Sequence, residues 1–305
     1  MSITRLQKLI IEKRNPTVAG LDARPEYVPQ QIIAENVEKY GRTLKAAAES
    51  VYMFNVGLID ALAELVPAVK PQSAYYELLG PDGVAVLKRT IDYAKSKGLY
   101  VIVDGKRNDI GATATAYAEA YLGMTEFDGV TLSAFDADAL TVNPYLGSDG
   151  IKPFTKYCDE KAIFVLAKTS NKSSIELQDM LAGDRPLYKV VASRIERWGA
   201  DYVGEYGYSN VGAVVGATYP EELTELRKTC PRTFFLVPGY GAQGGTAADI
   251  EGAFDKEGRG AIINSSRGIM CAWQKKEDDG THFAECAYEA ALKMKRELNA
   301  YILPM

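Results

Sequence analysis

The stretch Tyr100-Val-Ile-Val-Asp104-Gly-Lys106-Arg-Asn-Asp109-Ile110 joins an apolar run to a cluster of charges just before a helical pattern. A continuous apolar run, rather than an alternating one, is typical of a strand buried on both faces in a parallel sheet. Residues two apart in a strand point to the same face, so Asp104 and Lys106 share one. Charges at the end of a buried strand are costly unless they pair or take part in chemistry. The stretch therefore predicts a β/α fold and marks the place of a functional site.

Apolar runs of this kind recur along the chain, each followed by polar, glycine or proline residues and a longer helical pattern. They predict eight strands, at Thr17–Asp22, Pro67–Lys70, Tyr100–Asp104, Ala139–Asn143, Ala162–Thr169, Val211–Gly216, Phe234–Pro238 and Ala261–Ser265. Helical periodicity predicts helices at Ile32–Leu65, Asp82–Lys97, Thr113–Leu122, Leu187–Trp198, Pro220–Lys228, Thr246–Phe254 and Phe283–Leu298. The fourth strand has a second candidate, Gly129–Ser133, and its place stays open between the two.

Eight β–α alternations predict an α/β fold, a single closed (β/α)8 TIM barrel with additional helices. An open, doubly wound sheet is the competing architecture, but no G-x-G-x-x-G motif follows the first strand. No stretch rich in proline, serine or charge divides the chain. We therefore expect residues 1–305 to form one domain.

The composition, 47% hydrophobic and 25% charged, is typical of a globular protein. A net charge of -5 and a pI near 5.2 argue against nucleic acid as a partner. No apolar stretch is long enough to span a bilayer, so we expect no membrane partner. The cysteines show no C-x-x-C spacing and are expected to be reduced thiols in a cytoplasmic protein. The lone histidine, His282, argues against most zinc sites and Ser-His-Asp triads.

In a barrel the functional face lies at the carboxyl ends of the strands. The residues of chemical interest there are Asp22, Lys70, Asp104, Lys106, Asp109, Thr169, Ser170, Gly239, Gly241, Gln243 and Arg267. Each has a structural alternative, since Asp104 and Lys106 could form an ordinary ion pair and Arg267 could be a surface arginine. The glycine-rich segment after Pro238 and the Arg267 segment follow the last two strands, which in many barrels frame a phosphate site.

The Asp104-Gly-Lys106-Arg-Asn-Asp109-Ile110 segment resembles the D-x-K-x-x-D motif of the orotidine 5′-phosphate decarboxylase family, which is shared with sugar-phosphate decarboxylases of the same superfamily. The resemblance runs in order from about Thr17 to Arg267 and is closest to the longer bacterial subgroup. It includes Asp22, Lys70, Asn143-Pro-Tyr-Leu-Gly, Lys168-Thr-Ser-Asn, Pro238-Gly-Tyr-Gly-Ala-Gln243 and Asn264-Ser-Ser-Arg267-Gly.

The resemblance implies a carboxy-lyase that converts orotidine 5′-phosphate to UMP and CO₂, the last step of de novo UMP synthesis, with no cofactor and no metal. Fixed charges of the protein would then stabilise the carbanion formed at C6. Lys106 would donate the proton to C6, and Asp104 would lie beside the substrate carboxylate. Lys70 and Asp109 would complete an alternating Lys-Asp-Lys-Asp array that keeps Lys106 charged.

The resemblance also implies the residues that bind the nucleotide. Asp22 and Lys70 would contact the ribose and Ser170 the pyrimidine. Pro238 and Gln243 would belong to the closing loop, with Gln243 bridging phosphate and base, and Arg267 would hold the 5′-phosphate. Asp109 and Thr113 would reach the site of a neighbouring subunit, which implies a homodimer with shared active sites.

Three alternatives stay open. The first is a metal-dependent 3-keto-gulonate-phosphate decarboxylase or hexulose-phosphate synthase of the same superfamily, which would carry an acidic metal ligand where this chain has Lys70. The second is a non-catalytic nucleotide-binding barrel. The third is a Schiff-base aldolase that uses Lys106 or Lys168.

Overall fold

The computed structural model describes residues 1–241, 244–276 and 278–302. Eight parallel strands close into a barrel: β1 Thr17–Leu21, β2 Ala68–Pro71, β3 Tyr100–Arg107, β4 Ala139–Val142, β5 Ala162–Lys168, β6 Ser209–Val215, β7 Thr233–Val237 and β8 Ala261–Ser265. Each strand pairs with its neighbours in the order β1-β8-β7-β6-β5-β4-β3-β2. The predicted barrel is confirmed, with every predicted strand close to its expected bounds.

The fourth strand is Ala139–Val142, which pairs with β3 and β5. The other candidate lies outside the barrel, because Val130–Leu132 pairs only with Thr125–Phe127 in an antiparallel hairpin whose residues are exposed. Burial explains the difference, since all four residues of β4 are buried. A short apolar run read from sequence does not distinguish a buried barrel strand from an exposed hairpin.

Helices surround the barrel and connect its strands. They are α1 Ser2–Lys13, α2 Gln30–Tyr40, α3 Leu44–Leu62, α4 Ser73–Glu77, α5 Gly80–Ser96, α6 Gly111–Leu122, α7 Ser148–Thr155, α8 Leu187–Trp198, α9 Pro220–Thr229, α10 Arg267–Met270 and α11 Phe283–Asn299. Apolar faces of these helices and of the strands form the larger core, between the barrel and its outer layer. None of the helices in the described ranges is long and apolar enough to cross a membrane.

Two helix predictions were wrong. The segment Ile32–Leu65 is two helices, because Gly41 has a φ of 69° and ends α2, and the Thr43 side chain caps α3 by accepting from the Ala46 N–H. The segment Thr246–Phe254 contains only the short 3₁₀ turn Glu251–Ala253. There the Asp249 carboxylate accepts from both the N–H and the hydroxyl of Thr246, a local arrangement that competes with a helix.

Helix α1, which the sequence analysis did not predict, closes the end of the barrel where the strands begin. Its Ile3, Leu6 and Ile10 belong to the core cluster inside the barrel. Ser2 bonds to the Tyr100 hydroxyl at 2.6 Å, and the Ile3 N–H donates to the side chain of Asn210 at 2.8 Å. With this end filled, the opposite end of the barrel is left for a cavity.

Candidate active site

A cavity of about 760 Å³ lies at the carboxyl ends of the barrel strands. Most of the predicted site residues line it: Asp22, Lys70, Asp104, Lys106, Thr169, Ser170, Pro238, Gly239 and Arg267. Asp109 and Thr113 are not among its lining residues, and Gln243 lies outside the described residues. The barrel therefore brings together residues that are up to 245 positions apart, from Asp22 to Arg267.

Lys70, Asp104 and Lys106 form a continuous row of alternating charges in this cavity. The Lys70 ammonium lies 2.9 Å from Asp104 Oδ2, and the Lys106 ammonium lies 2.6 Å from Asp104 Oδ1. Asp22 extends the row, with its Oδ1 3.8 Å from Lys70 Nζ. The predicted shared face of Asp104 and Lys106 is present, since both point into the cavity.

The two lysines differ in their access to solvent. The Lys70 side chain is 5% exposed, whereas the Lys106 side chain is 46% exposed. Lys106 has a φ of 46°, a left-handed backbone conformation that few residues other than glycine adopt. Such a conformation is held by its surroundings and is common at functional sites. Lys106 is therefore the more exposed of the two ammonium groups that line the cavity.

Thr141, on β4, supports this row and was missed by the sequence analysis. Its hydroxyl donates to Asp104 Oδ1 at 2.8 Å and accepts from the Lys106 N–H at 2.9 Å. The only signal that could have found it is its position near the end of the fourth strand, which the sequence left uncertain. Because Thr141 contacts both residues of the motif, it fixes their relative position.

The buried charges of Asp104 and Lys70 shift each other's pKa. Burial alone raises the pKa of the Asp104 carboxyl, but the positive charges of Lys70 and Lys106 outweigh it and hold this pKa well below its usual range. Burial likewise lowers the pKa of Lys70, and the negative charges of Asp104 and Asp22 raise it above its ordinary value. Asp104 and Lys70 are therefore both ionised at neutral pH.

Another wall of the cavity is formed where β7, β8 and β1 end. Arg267 lies two residues after the end of β8, and Pro238, Gly239 and Tyr240 follow β7. Gly20 of β1 packs against this segment so closely that a Cβ at this position would lie 1.9 Å from Ser266 Oγ. Close packing holds the segment before Arg267 against the barrel, and the Arg267 guanidinium supplies a positive charge on this wall.

The wall after β5 is neutral. Thr169, Ser170, Asn171 and Gln178 line the cavity there, and all four carry hydroxyl or amide groups. Gln178 was not predicted, because it lies nine residues beyond the strand and returns to the wall only through the fold of the intervening loop. Lys168, considered above as a Schiff-base lysine, does not line the cavity: its side chain is fully buried and paired with Asp179.

Asp109 and Thr113 lie at the start of α6, on the surface of the chain. Asp109 accepts from the N–H of Ile110 at 2.8 Å, and Thr113 is exposed in the first turn of the helix. Exposed apolar side chains accompany them on α6 and on the following hairpin: Ile110, Tyr117, Met124, Phe127, Val130 and Leu132. Apolar surface concentrated in this way is typical of a protein–protein interface.

Comparisons with known proteins agree with this arrangement. Residues 54–278 match the model of the Orotidine 5'-phosphate decarboxylase / HUMPS family. The orotidine 5'-phosphate decarboxylase of Rhodopirellula baltica is 45% identical over 301 residues, which cover 97% of this chain and 98% of that protein. The enzyme of the same name from Caldicellulosiruptor bescii is 41% identical over 300 residues, 98% of each protein.

Solved structures show the same likeness. A putative orotidine-monophosphate-decarboxylase from Toxoplasma gondii has a TM-score of 0.75 and 30% identity, and the match covers 97% of both chains. The UMP synthase of Leishmania donovani has a TM-score of 0.76 and 35% identity over 98% of this chain and 56% of its own. The chain belongs to the orotidine 5'-phosphate decarboxylase / HUMPS family.

Proposed function

We propose that this protein is a carboxy-lyase that removes CO₂ from orotidine 5′-phosphate and forms UMP, with no metal or cofactor. The observation that carries the proposal is the Lys70–Asp104–Lys106 row, which lies in the same cavity as Arg267. One part of the cavity thus suits the reacting carbon and its carboxylate, and another suits a phosphate. The family relatives that carry this name support the same substrate.

Breaking the bond between C6 and the carboxylate leaves an electron pair on C6 as CO₂ departs. The Lys106 ammonium is the more exposed cation of the row, so it stabilises this charge and then donates a proton to C6. Asp104 accepts hydrogen bonds from both lysines and so orients the Lys106 ammonium. A carboxylate held ionised beside the carboxylate of the substrate also favours the departure of CO₂.

The rest of the nucleotide is held by groups around the row. Arg267 binds the phosphate, since its fork of N–H groups matches phosphate oxygens. Asp22 and Lys70 bind the ribose hydroxyls, and Ser170 and Pro238 contact the base. Gln243 is proposed to bridge phosphate and base from the segment after Gly241. Binding energy from these remote groups is used to place C6 against Lys106.

We further propose that the protein acts as a cytoplasmic homodimer of single-domain subunits. Asp109 and Thr113 would each enter the partner's cavity, because they lie on the surface among exposed apolar side chains, outside their own cavity. The isologous contact of two such faces buries these apolar groups and brings both residues to the neighbouring site. The four cysteines are all free, as expected in a reducing compartment.

Lys70 distinguishes this chain from the metal-dependent members of the superfamily. Its ammonium lies 2.9 Å from Asp104, where it would repel a divalent cation that approached this carboxylate. Turnover of orotidine 5′-phosphate should therefore be unchanged by EDTA. Turnover that requires added Mg²⁺ would favour a sugar-phosphate decarboxylase or synthase instead.

The deciding experiment follows the absorbance of orotidine 5′-phosphate with wild type, Lys106→Ala and Lys8→Ala. We expect turnover by wild type and Lys8→Ala and a loss of at least about 10⁴-fold in Lys106→Ala, because the proton donor and the charge facing C6 are both removed. Lys8 is a suitable control because its side chain is also exposed, at 67%, and lies on α1 at the other end of the barrel. Equal turnover by wild type and Lys106→Ala would refute the mechanism.

A further inference from the structure

Residues 169–186 join β5 to α8, and this loop forms the neutral wall of the cavity. It contains the 3₁₀ turn Lys172–Glu176 and the small hairpin of Leu181–Ala182 with Arg185–Pro186. It reaches the cavity at its start and again at its middle. Thr169, Ser170 and Asn171 line the cavity where the loop leaves β5, and Gln178 lines it where the loop returns.

A fully buried lysine holds this loop. The Lys168 ammonium is paired with the Asp179 carboxylate and lies 4.4 Å from the ring centre of Tyr219 and 5.1 Å from that of Tyr188. Burial of a lysine is costly unless the charge is paired, and aromatic faces add further attraction. Lys168 is separated from the cavity, so this cost is not offset by a chemical role. The pair instead ties residue 179 to the end of β5.

The neighbouring residues Thr169 and Gln178 also join the end of β5 to the loop. The Gln178 Oε1 accepts from the Thr169 N–H at 2.9 Å, and the Gln178 Nε2 donates to the Thr169 hydroxyl at 2.7 Å. Two consecutive residues at the end of β5 are therefore joined to two consecutive residues of the loop, 168 with 179 and 169 with 178. The ion pair and the paired hydrogen bonds together fix where the Gln178 amide lies.

The partners of Gln178 also fix the orientation of its amide. A backbone N–H can only donate, so the atom of Gln178 that faces the Thr169 N–H must be the oxygen. The Nε2 then faces the Thr169 hydroxyl and uses one of its two hydrogens there. Among the residues that the structure describes, the second N–H of Gln178 has no partner, and Gln178 belongs to a cavity wall that carries no charged side chain. Such a donor suits a carbonyl oxygen of an uncharged ring.

We propose that Gln178 is a further base-recognition residue and that Lys168 and Asp179 are positioning residues that hold it on the cavity wall. The inference rests on the proposed function, since it assigns the neutral wall to the base of the nucleotide. The second N–H of Gln178 donates to a ring carbonyl, which uracil offers where cytosine carries an amino group. The Lys168–Asp179 pair thus contributes to selectivity for the base without contacting it.

The test measures the dissociation constants of UMP and CMP by calorimetry for wild type, Gln178→Met, Lys168→Met and Asp179→Asn. Gln178→Met keeps the length of the side chain and removes the donor, so we expect UMP binding to weaken about tenfold and CMP binding to change little. Lys168→Met and Asp179→Asn should lower the UMP/CMP selectivity by a similar factor. In kinetics with orotidine 5′-phosphate, all three variants should raise KM more than they lower kcat.

Asp136→Asn is the matched control. Asp136 pairs with Lys161 at 2.6 Å and with Lys95, and it does not line the cavity. Its variant should lose both ion pairs and keep the selectivity of wild type. Gln178→Met with wild-type selectivity would overturn the inference even if the Lys168 and Asp179 variants failed to fold. Failure of the proposed function is distinguishable, because it appears as wild type that does not turn over orotidine 5′-phosphate, whereas the binding comparison needs no turnover.

Discussion

The hydroxyl group of Thr141 donates a 2.8 Å hydrogen bond to the carboxylate of Asp104, across the neighbouring strands β4 and β3. The same hydroxyl accepts from the N–H of Lys106, whose backbone is in the left-handed conformation. Thr141 thereby satisfies an oxygen of Asp104 that also accepts from the Lys106 ammonium. The carboxylate, the ammonium and the backbone that carries it are held as one unit.

Thr141→Val should lower kcat for orotidine 5′-phosphate by about 10- to 100-fold, because loss of a buried hydrogen-bond partner costs about 1–3 kcal/mol. KM should change little, since the groups proposed to hold phosphate and ribose are untouched. Steady-state kinetics measures both constants. Thr141→Ser is the control, as it retains the hydroxyl and should retain most of the activity. A valine variant with the kcat of wild type would show that Thr141 has no such role.

The barrel itself could be predicted because each strand is buried on both faces and therefore appears in the sequence as a continuous apolar run. The residues at the strand ends followed from the barrel, since Asp22, Lys70, Lys106 and Arg267 needed only the rule that the strands end at one face. Thr141 and Gln178 could not be found in this way. One belongs to a strand whose place was ambiguous, and the other reaches the cavity through a loop folded by Lys168 and Asp179.

The charged row should make the stability of the protein depend on pH at both ends of the scale. The pKa of Asp104 is lowered on folding, so its stabilising contribution is complete above the unfolded value of about 4 and is lost as the pH falls through the folded value. The pKa of Lys70 is raised, so its contribution is complete below about pH 10.4 and is lost as the pH rises through the folded value.

Urea unfolding of wild type, Asp104→Asn and Lys70→Met from about pH 3 to about pH 11 measures this dependence. The difference in the free energy of unfolding between wild type and Asp104→Asn should be constant at neutral pH and should fall below about pH 4. The difference between wild type and Lys70→Met should fall above about pH 10.4, and it should also fall below about pH 4, because Lys70 helps to lower the pKa of Asp104. Differences that are constant over the whole range would contradict the assigned pairing.

The segment after β7 is attached to the last helix through Tyr240. Its hydroxyl donates to the Glu297 carboxylate of α11 at 2.6 Å, while the ring lines the cavity. Burial and this hydrogen bond raise the pKa of Tyr240, so the hydroxyl stays protonated. Tyr240→Phe should therefore weaken UMP binding about three- to tenfold by releasing the segment proposed to contact the phosphate, with a smaller effect on uridine.

Calorimetry with UMP and uridine checks this expectation, and the rest of α11 provides the control. Lys293 lies 3.7 Å from the other oxygen of Glu297 and is exposed, so Lys293→Ala removes a partner of Glu297 and leaves its bond to Tyr240. It should bind both ligands as wild type does. If Tyr240→Phe weakened the binding of UMP and of uridine equally, the substitution would act on a part of the nucleotide other than the phosphate.

Shared active sites can be tested with two inactive proteins. Lys106→Ala removes the proposed proton donor of a subunit's own cavity, and Asp109→Ala removes the carboxylate proposed to enter the partner's cavity. Each homodimer should be inactive or nearly so, because every site lacks one of the two residues.

In a hybrid dimer, one site lacks both residues and the other lacks neither. If subunits exchange at random, about half of the dimers in an equimolar mixture are hybrids, each with one intact site. Mixing should therefore restore about a quarter of the wild-type activity per subunit, at a rate set by subunit exchange. Exchange itself can be demonstrated with differently tagged subunits. If exchange occurs and activity stays at the level of the separate variants, Asp109 acts in the active site of its own chain.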